Sequence, residues 1–250
     1  MTALEVEVEP GDAGFDAERL DRLSTHLNKY VDGGLLPGVN VLVSREGRIV
    51  YRHMYGERDM ERSLPVEADT IYRFYSMTKP ITSIAIMQLY EQGLFQLKDP
   101  ISRWIPSFAD SQVFVGGDAL HPQTRDASRD ISVHDLLTHT SGLTYHFHMA
   151  HAVDEMYRRA GFDWTKSPGN LQNQCDILAS LPLLFDPGTE WNYSYSTDVL
   201  GRLVEVMSGV TLDVYLEENI FKPIGMVDTG FAVPNGEEER FASCYYPDGE

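Results

Sequence analysis

The chain is short of positive charge: 20 Lys and Arg stand against 38 Asp and Glu in 250 residues, a formal net charge of −18 with histidine neutral. A field of that sign repels phosphate backbones and anionic headgroups, so neither nucleic acid nor a membrane surface is the expected partner. Cysteine is scarce too. Cys175 and Cys244 lie far apart in sequence and form no C-x-x-C pair, which argues against a zinc knuckle and against a disulfide framework. No stretch approaches the ~18 uninterrupted apolar residues of a membrane helix. The first residues, MTALEVEVEPGDAGFD, carry Glu5, Glu7, Glu9 and Asp12 where a secretory leader needs a basic start and an apolar run. A cytoplasmic setting is the expectation. Also missing are a G-x-S-x-G elbow, H-E-x-x-H, a P-loop and G-x-G-x-x-G after a strand, which removes α/β-hydrolases, zincins, P-loop enzymes and dinucleotide binders.

What is present is an ordinary globular composition, 42% hydrophobic, in a chain long enough to bury a core without staples. Asp16 stands as an N-cap before Leu20, Leu23, Leu27 and Val31, whose spacing predicts an amphipathic first helix. VNVLVSREGRIVYRHMYG reads as a hairpin over about Val39 to Tyr55 turning at Arg45-Glu46-Gly47. A helix is predicted from near Ser76 to a stop at Gly93, and a shorter one behind Ser132 with Asp135 three residues on. Further helices are expected over Asp176 to Leu181, Thr197 to Met207 and Leu212 to Asn219. Ala109 to Asp130 and His146 to Gly169 read as long loops. A third strand is expected at Phe241 to Tyr246. A lone hairpin is marginal in water, so the sheet reads as short of strands.

The chemistry concentrates in SMTKP. Ser76 and Lys79 are three apart at the start of a predicted helix, so both side chains share one face, and Pro80 falls in the first turn where its missing N–H costs little. A serine hydroxyl needs a neighbouring base to become a nucleophile, and a lysine serves if burial or nearby positive charge lowers its pKa. A helix N-terminus favours the alkoxide over the ammonium. The second element is DPGTEWNYSYSTDVLG, where Tyr193-Ser194-Tyr195 follows a Pro187-Gly188 turn and precedes a helix, a junction that can present a phenol to a cleft.

Together these elements resemble the serine β-lactamase-related superfamily, in its class C β-lactamase and family VIII carboxylesterase branch. SMTKP is similar to its S-x-x-K motif and WNYSYSTDVLGRLVEVMSG to its Y-x-N or Y-S-x motif. ISVHDLLTHTSGL, LKDPISRWIP, FDPGTEW and IFKPIGMVDTGF resemble other stretches of that branch, so the similarity runs from about Phe15 to Phe231. The resemblance implies an α+β fold of the β-lactamase/transpeptidase type, an antiparallel sheet flanked by a helical region. It implies Ser76 as acyl-accepting nucleophile, Lys79 as the group that activates it, Tyr193 as partner base and proton donor to the leaving group, and the Ser76 backbone N–H as one half of an oxyanion hole. Tyr195 stands where class C lactamases have Asn, which favours a small carboxylic ester over a lactam or D-amino-acid peptide as substrate. No cofactor and no metal are implied. His146, His148 and His151 in YHFHMAH lack nearby carboxylates for a metal site; they are expected to line the acyl or alcohol pocket, with His148 and Tyr195 as substrate-binding residues. His139 and Ser141 in THTSG are expected to be structural. The family's third motif, K-T-G, H-x-G or W-x-G, has no counterpart before YYPDGE. The expectation is therefore one domain over residues 1–250, with a helical subregion of about 76–220 after the first hairpin, lacking the family's C-terminal strands and helix and impaired in catalysis on that account.

Overall fold

The first helix, α1 (Ala17–Asp32), starts where the capping rule puts it: the Asp16 carboxylate accepts the Arg19 N–H at 3.1 Å. The hairpin that follows pairs β1 (Gly38–Arg45) with β2 (Arg48–Asp59) in antiparallel register, Arg45 opposite Arg48. Glu46 and Gly47 turn it with φ of 53° and 77°, the left-handed pair that matches the twist of the flanking strands. Three side-chain bonds tie α1 to β2: Ser24 to Tyr51 at 2.7 Å, Asn28 to His53 at 2.7 Å and the Tyr55 hydroxyl to Asp32 at 2.8 Å. Ala13, Val50 and Tyr51 form the small core of this part. These elements belong to one of two compact units in the computed structural model, which describes residues 4–163 and 168–246; this unit joins the chain up to Phe74 with the chain from Gly230 onward.

The third strand differs from expectation. It is β3 (Leu64–Pro65), on the β2 edge, and Phe241 to Tyr246 forms no strand among the described residues; Phe241 makes a single parallel bridge to Ile71. Backbone bonds run there from Ile71 N–H to Arg240 O, Ala242 N–H to Ile71 O and Ser243 N–H to Arg58 O, each at 2.9 Å, and arginine side chains add to them. The Arg58 guanidinium donates to the Glu239 carbonyl, Arg73 donates to that of Ala242 and stacks over the Phe241 ring.

The second unit, Tyr75–Thr229, holds the larger core. Its spine is α2 (Thr78–Glu91), which buries Ile81, Thr82, Ala85, Ile86 and Leu89. Ala109 to Asp130 is a hairpin rather than a loop, β4 (Gln112–Gly117) against β5 (Pro122–Asp126). Every β5 side chain is exposed, so no apolar alternation marks the strand in the sequence. Next comes α3 (Val133–Leu137), closed by the expected capping box: Ser132 Oγ accepts the Asp135 N–H and the Asp135 carboxylate accepts the Ser132 N–H. A helix also interrupts the expected His146 to Gly169 loop, α4 (Ala152–Arg159). Its cap is His151, whose Nδ1 accepts the Val153 N–H; imidazole is not among the usual capping groups. Residues 164–167 of that segment lie outside the described residues. Then follow α5 (Leu171–Ser180), longer than expected, α6 (Ser196–Ser208) and α7 (Leu212–Leu216), which runs on into a π-turn at Glu217–Phe221. Gly209 and Gly225 end the last helices with φ of 78° and 75°. Among the described residues no helix is long and apolar enough to cross a membrane.

Candidate active site

Ser76 sits in a single 3₁₀ turn, Tyr75–Met77, directly ahead of α2. Tyr75 holds a φ of +43°, a left-handed conformation that costs a bulky residue of order 1–3 kcal/mol and clusters at functional sites. That bend turns the chain into the helix with the Ser76 side chain exposed. Lys79 follows one turn on, partly buried, and its Nζ donates to Ser76 Oγ at 3.3 Å. Pro80 occupies the first turn of α2 as expected, and the buried face behind it fixes the helix in the core.

Tyr193 arrives from the other side, on the segment before α6. That segment is laced to residues 139–144 by backbone bonds: Gly188 N–H to Thr140 O at 2.7 Å, Asn192 N–H to His139 O at 2.9 Å, Leu184 N–H to Gly142 O at 2.7 Å and Tyr195 N–H to Thr144 O at 3.3 Å. Asn192 Nδ2 adds a bond to Leu143 O at 3.0 Å. The lacing delivers the Tyr193 hydroxyl to 2.7 Å from Ser76 Oγ, with Lys79 Nζ 4.6 Å from the centre of its ring. Burial pushes the Tyr193 phenol up, but hydrogen bonding to Lys79 and Ser76 and the Lys79 charge carry it below the ordinary phenol value. The arrangement can therefore move a proton from a serine hydroxyl to a phenol oxygen that positive charge keeps acidic.

The other expected residues surround this centre less directly. Tyr195 is buried, with its hydroxyl 2.6 Å from His146 Nδ1 and its ring against those of Tyr145 and Phe162 at 4.5 and 4.9 Å; its phenol is engaged within the protein. His148 is half-buried, its Nδ1 3.3 Å from Thr144 Oγ1 and its ring edge-on to Tyr145. With His151 serving as a helix cap, the YHFHMAH histidines go to three separate partners. Among the described residues no three of His, Cys, Asp or Glu converge on a point that could hold a metal. Both thiols are unbridged, Cys175 buried and Cys244 exposed.

Three neighbours escaped the sequence reading as site residues. Tyr145 lies edge-on to Tyr193 at 5.0 Å, with Lys79 Nζ 5.7 Å from its ring centre. His139 tilts its ring against Tyr193 at 5.0 Å. Asp198, in the first turn of α6, has its carboxyl raised to about 6 because burial disfavours the charge more than its own N–H and Lys79 favour it. His139 stands in HTSG and Tyr145 opens YHFHMAH, the signals that could have found them, and a carboxylate five residues past a tyrosine carries no signal by itself.

Comparison with known proteins widens the view. Esterase EstB of Burkholderia gladioli is 35% identical over 258 aligned residues, covering all of this chain and 60% of that protein. The monacolin J acid methylbutanoyltransferase of Aspergillus terreus is 33% identical over 228 residues, 88% of this chain and 54% of its own. The solved structure of EstCE1, described as a hydrolase with promiscuous acyltransferase activity, superposes with a TM-score of 0.77 at 30% identity over 92% of this chain and 56% of that one. The chain thus spans a little over half the length of these relatives. Their architecture bears out the expected α+β, β-lactamase/transpeptidase-like fold. A model of the beta-lactamase family matches residues 23–250, nearly the whole sequence, and the chain belongs to the beta-lactamase family.

Proposed function

We propose that this chain is a serine hydrolase that cleaves small carboxylic esters through an acyl-enzyme on Ser76, activated by Lys79 and Tyr193. The observation that supports it most is the triangle of Ser76 Oγ, Tyr193 hydroxyl at 2.7 Å and Lys79 Nζ at 3.3 Å. The phenolate form of Tyr193, favoured by the Lys79 charge, accepts the Ser76 proton as Oγ attacks the ester carbonyl carbon. The ester carbonyl becomes an oxyanion, for which the Ser76 N–H is one donor. As the C–O bond to the leaving group breaks, Tyr193 returns the proton to the departing alkoxide. A water molecule then attacks the acyl carbon, giving its proton to Tyr193, and Ser76 leaves with that proton as the free hydroxyl. Lys79 stabilises by its charge the phenolate that exists before each proton is taken up and after it is returned. His148, beside Tyr145 and half-exposed, is the side chain we assign to the substrate pocket; Tyr195 supports that wall from behind.

A second reading, acyl transfer, draws on the relatives named methylbutanoyltransferase and promiscuous acyltransferase: an alcohol in place of water discharges the same acyl-enzyme. Hydrolysis of p-nitrophenyl butyrate that disappears in Ser76→Ala is the expected result for the first reading, and product partitioning towards an ester in the presence of an added alcohol for the second. Turnover of a chromogenic cephalosporin at a comparable rate would instead make the chain a β-lactamase. A folded protein that gains no mass with a fluorophosphonate would end all three.

A further inference from the structure

Behind the triangle runs a chain of buried hydroxyls. Ser141, Ser194 and Ser196 are each fully buried. Ser141 Oγ lies 2.8 Å from Ser196 Oγ, Ser196 Oγ 2.8 Å from Ser194 Oγ, and Ser194 Oγ 3.3 Å from His139 Nδ1. At the far end the Leu143 N–H donates to Ser141 Oγ at 3.3 Å. A backbone N–H can only donate, and that sets the direction of the chain. With Ser141 donating to Ser196, Ser196 to Ser194 and Ser194 to His139 Nδ1, every hydroxyl proton has an acceptor. In the reverse direction Ser141 receives two protons and its own must find another acceptor in a fully buried place, a cost of about 1–3 kcal/mol. His139 Nδ1 is thereby an acceptor, and the imidazole is neutral with its proton on Nε2.

The same residue holds the Tyr193 segment at three points. Its carbonyl accepts the Asn192 N–H, its Nδ1 takes the Ser194 hydroxyl, and its ring packs on Tyr193 and edge-on to Trp191 at 6.3 Å. His139 itself stands at a φ of +55°. We propose that His139 is the positioning residue of Tyr193: locked as the neutral Nε2–H form by the serine chain, it fixes the phenol against Ser76, and its protonation releases that hold and inactivates the site. The titratable groups that face it are Lys79 from α2 and the Tyr193 phenol, while the Asp198 carboxylate of α6 acts on those two rather than on the imidazole. Burial, and then the Lys79 charge, hold the imidazole below the ordinary histidine range.

The inference rests on Ser76 being the nucleophile, and the experiment separates the two. On the full chain labelled with ¹³C-histidine, the His139 Cε1 resonance is followed against pH, and the rate of fluorophosphonate labelling of Ser76 is followed over the same range, in wild type, Ser194→Ala and His139→Asn. Asn tolerates positive φ, and Ser194→Ala removes one oxygen, so the second variant decides the matter if the first misfolds. The expected result is a wild-type His139 midpoint below the ordinary value that Ser194→Ala raises by about half a unit or more, matched by an equal rise in the acid limb of labelling. His139→Asn loses that limb, and its labelling slows about 10-fold at neutral pH. Asp198 and Tyr193 are intact in both variants, so the limb that moves in step with the His139 Cε1 midpoint belongs to His139. A wild-type His139 midpoint at or above the ordinary value overturns the proposal, as do labelling profiles in the variants that superpose on wild type. A folded wild type that titrates as expected but never labels at Ser76 overturns the nucleophile assignment and the positioning role with it.

Discussion

In the proposed mechanism Tyr193 and Lys79 serve Ser76 differently, and the difference is measurable. The phenol oxygen lies nearer to Oγ than the ammonium does, 2.7 against 3.3 Å, and its acidity is enhanced. Tyr193→Phe is therefore expected to slow acylation by about 10²–10⁴, the span general bases usually contribute, with little change in thermal midpoint; stopped-flow burst rates check this. In wild type the burst rate should rise with pH through a midpoint below that of a free phenol. Lys79→Met should both slow the burst and move this midpoint upward, because the phenolate loses its counter-charge. Asp198 calls for a different sign. Its folded-state pKa, about 6, lies above the unfolded value of 3.8, so the folded form binds the proton more tightly and stability falls as pH rises through that window. Asp198→Asn should raise the melting temperature at pH 7 by roughly 2–4 °C, on the order of 1 kcal/mol, and the gain should fade towards pH 4.

Among the elements, the loops that carry the site depend on two local devices. The Ser132 capping box is extended by Arg129, which grips the Asp135 carboxylate with two bonds of 2.7 and 2.9 Å. Burial pushes that carboxyl up, but the bonds from Arg129 and Ser132 more than reverse it. A carboxyl held low stabilises the fold above its unfolded pKa and loses that contribution as the solution is acidified. Asp135→Asn should cost about 2 kcal/mol at pH 7, discounted for the half-exposed arginine, and progressively less as the pH falls below the unfolded carboxyl value of 3.8 in a denaturant titration. Gly142 is the other device: at φ +87° a Cβ would come 2.4 Å from the Phe185 carbonyl. Gly142→Ala should destabilise by about 2 kcal/mol or more and slow acylation by loosening the Tyr193 segment. The Ser132 box, the Asp16 cap and the Glu46-Gly47 turn were legible because each is a local bargain between neighbouring residues. Helix α4 and strand β5 were not: β5 exposes every side chain and writes no period into the sequence, while α4, though Val153, Met156 and Tyr157 mark its buried face, spans only about two turns behind an imidazole cap.

At the scale of the whole molecule the net charge of −18 governs approach rather than chemistry. A negatively charged ester should be turned over with a lower kcat/KM than a neutral ester of the same size, and the gap should narrow as salt is raised from about 0.01 M to 0.15 M and screening shortens. The acid excess, the scarcity of cysteine and the S-x-x-K and Y-S-Y motifs were written in the sequence by itself. So was the pairing of Ser76 with Lys79, since one helical turn brings residues three apart together whatever else the chain does. That Tyr193 meets Ser76 across 117 positions of sequence was decided only by tertiary structure. So was the serine chain that orients His139, and so was the burial that turns Tyr195 to His146. Contacts between distant segments depend on backbone lacing and on the exclusion of water, and neither is a property of any stretch of sequence read alone.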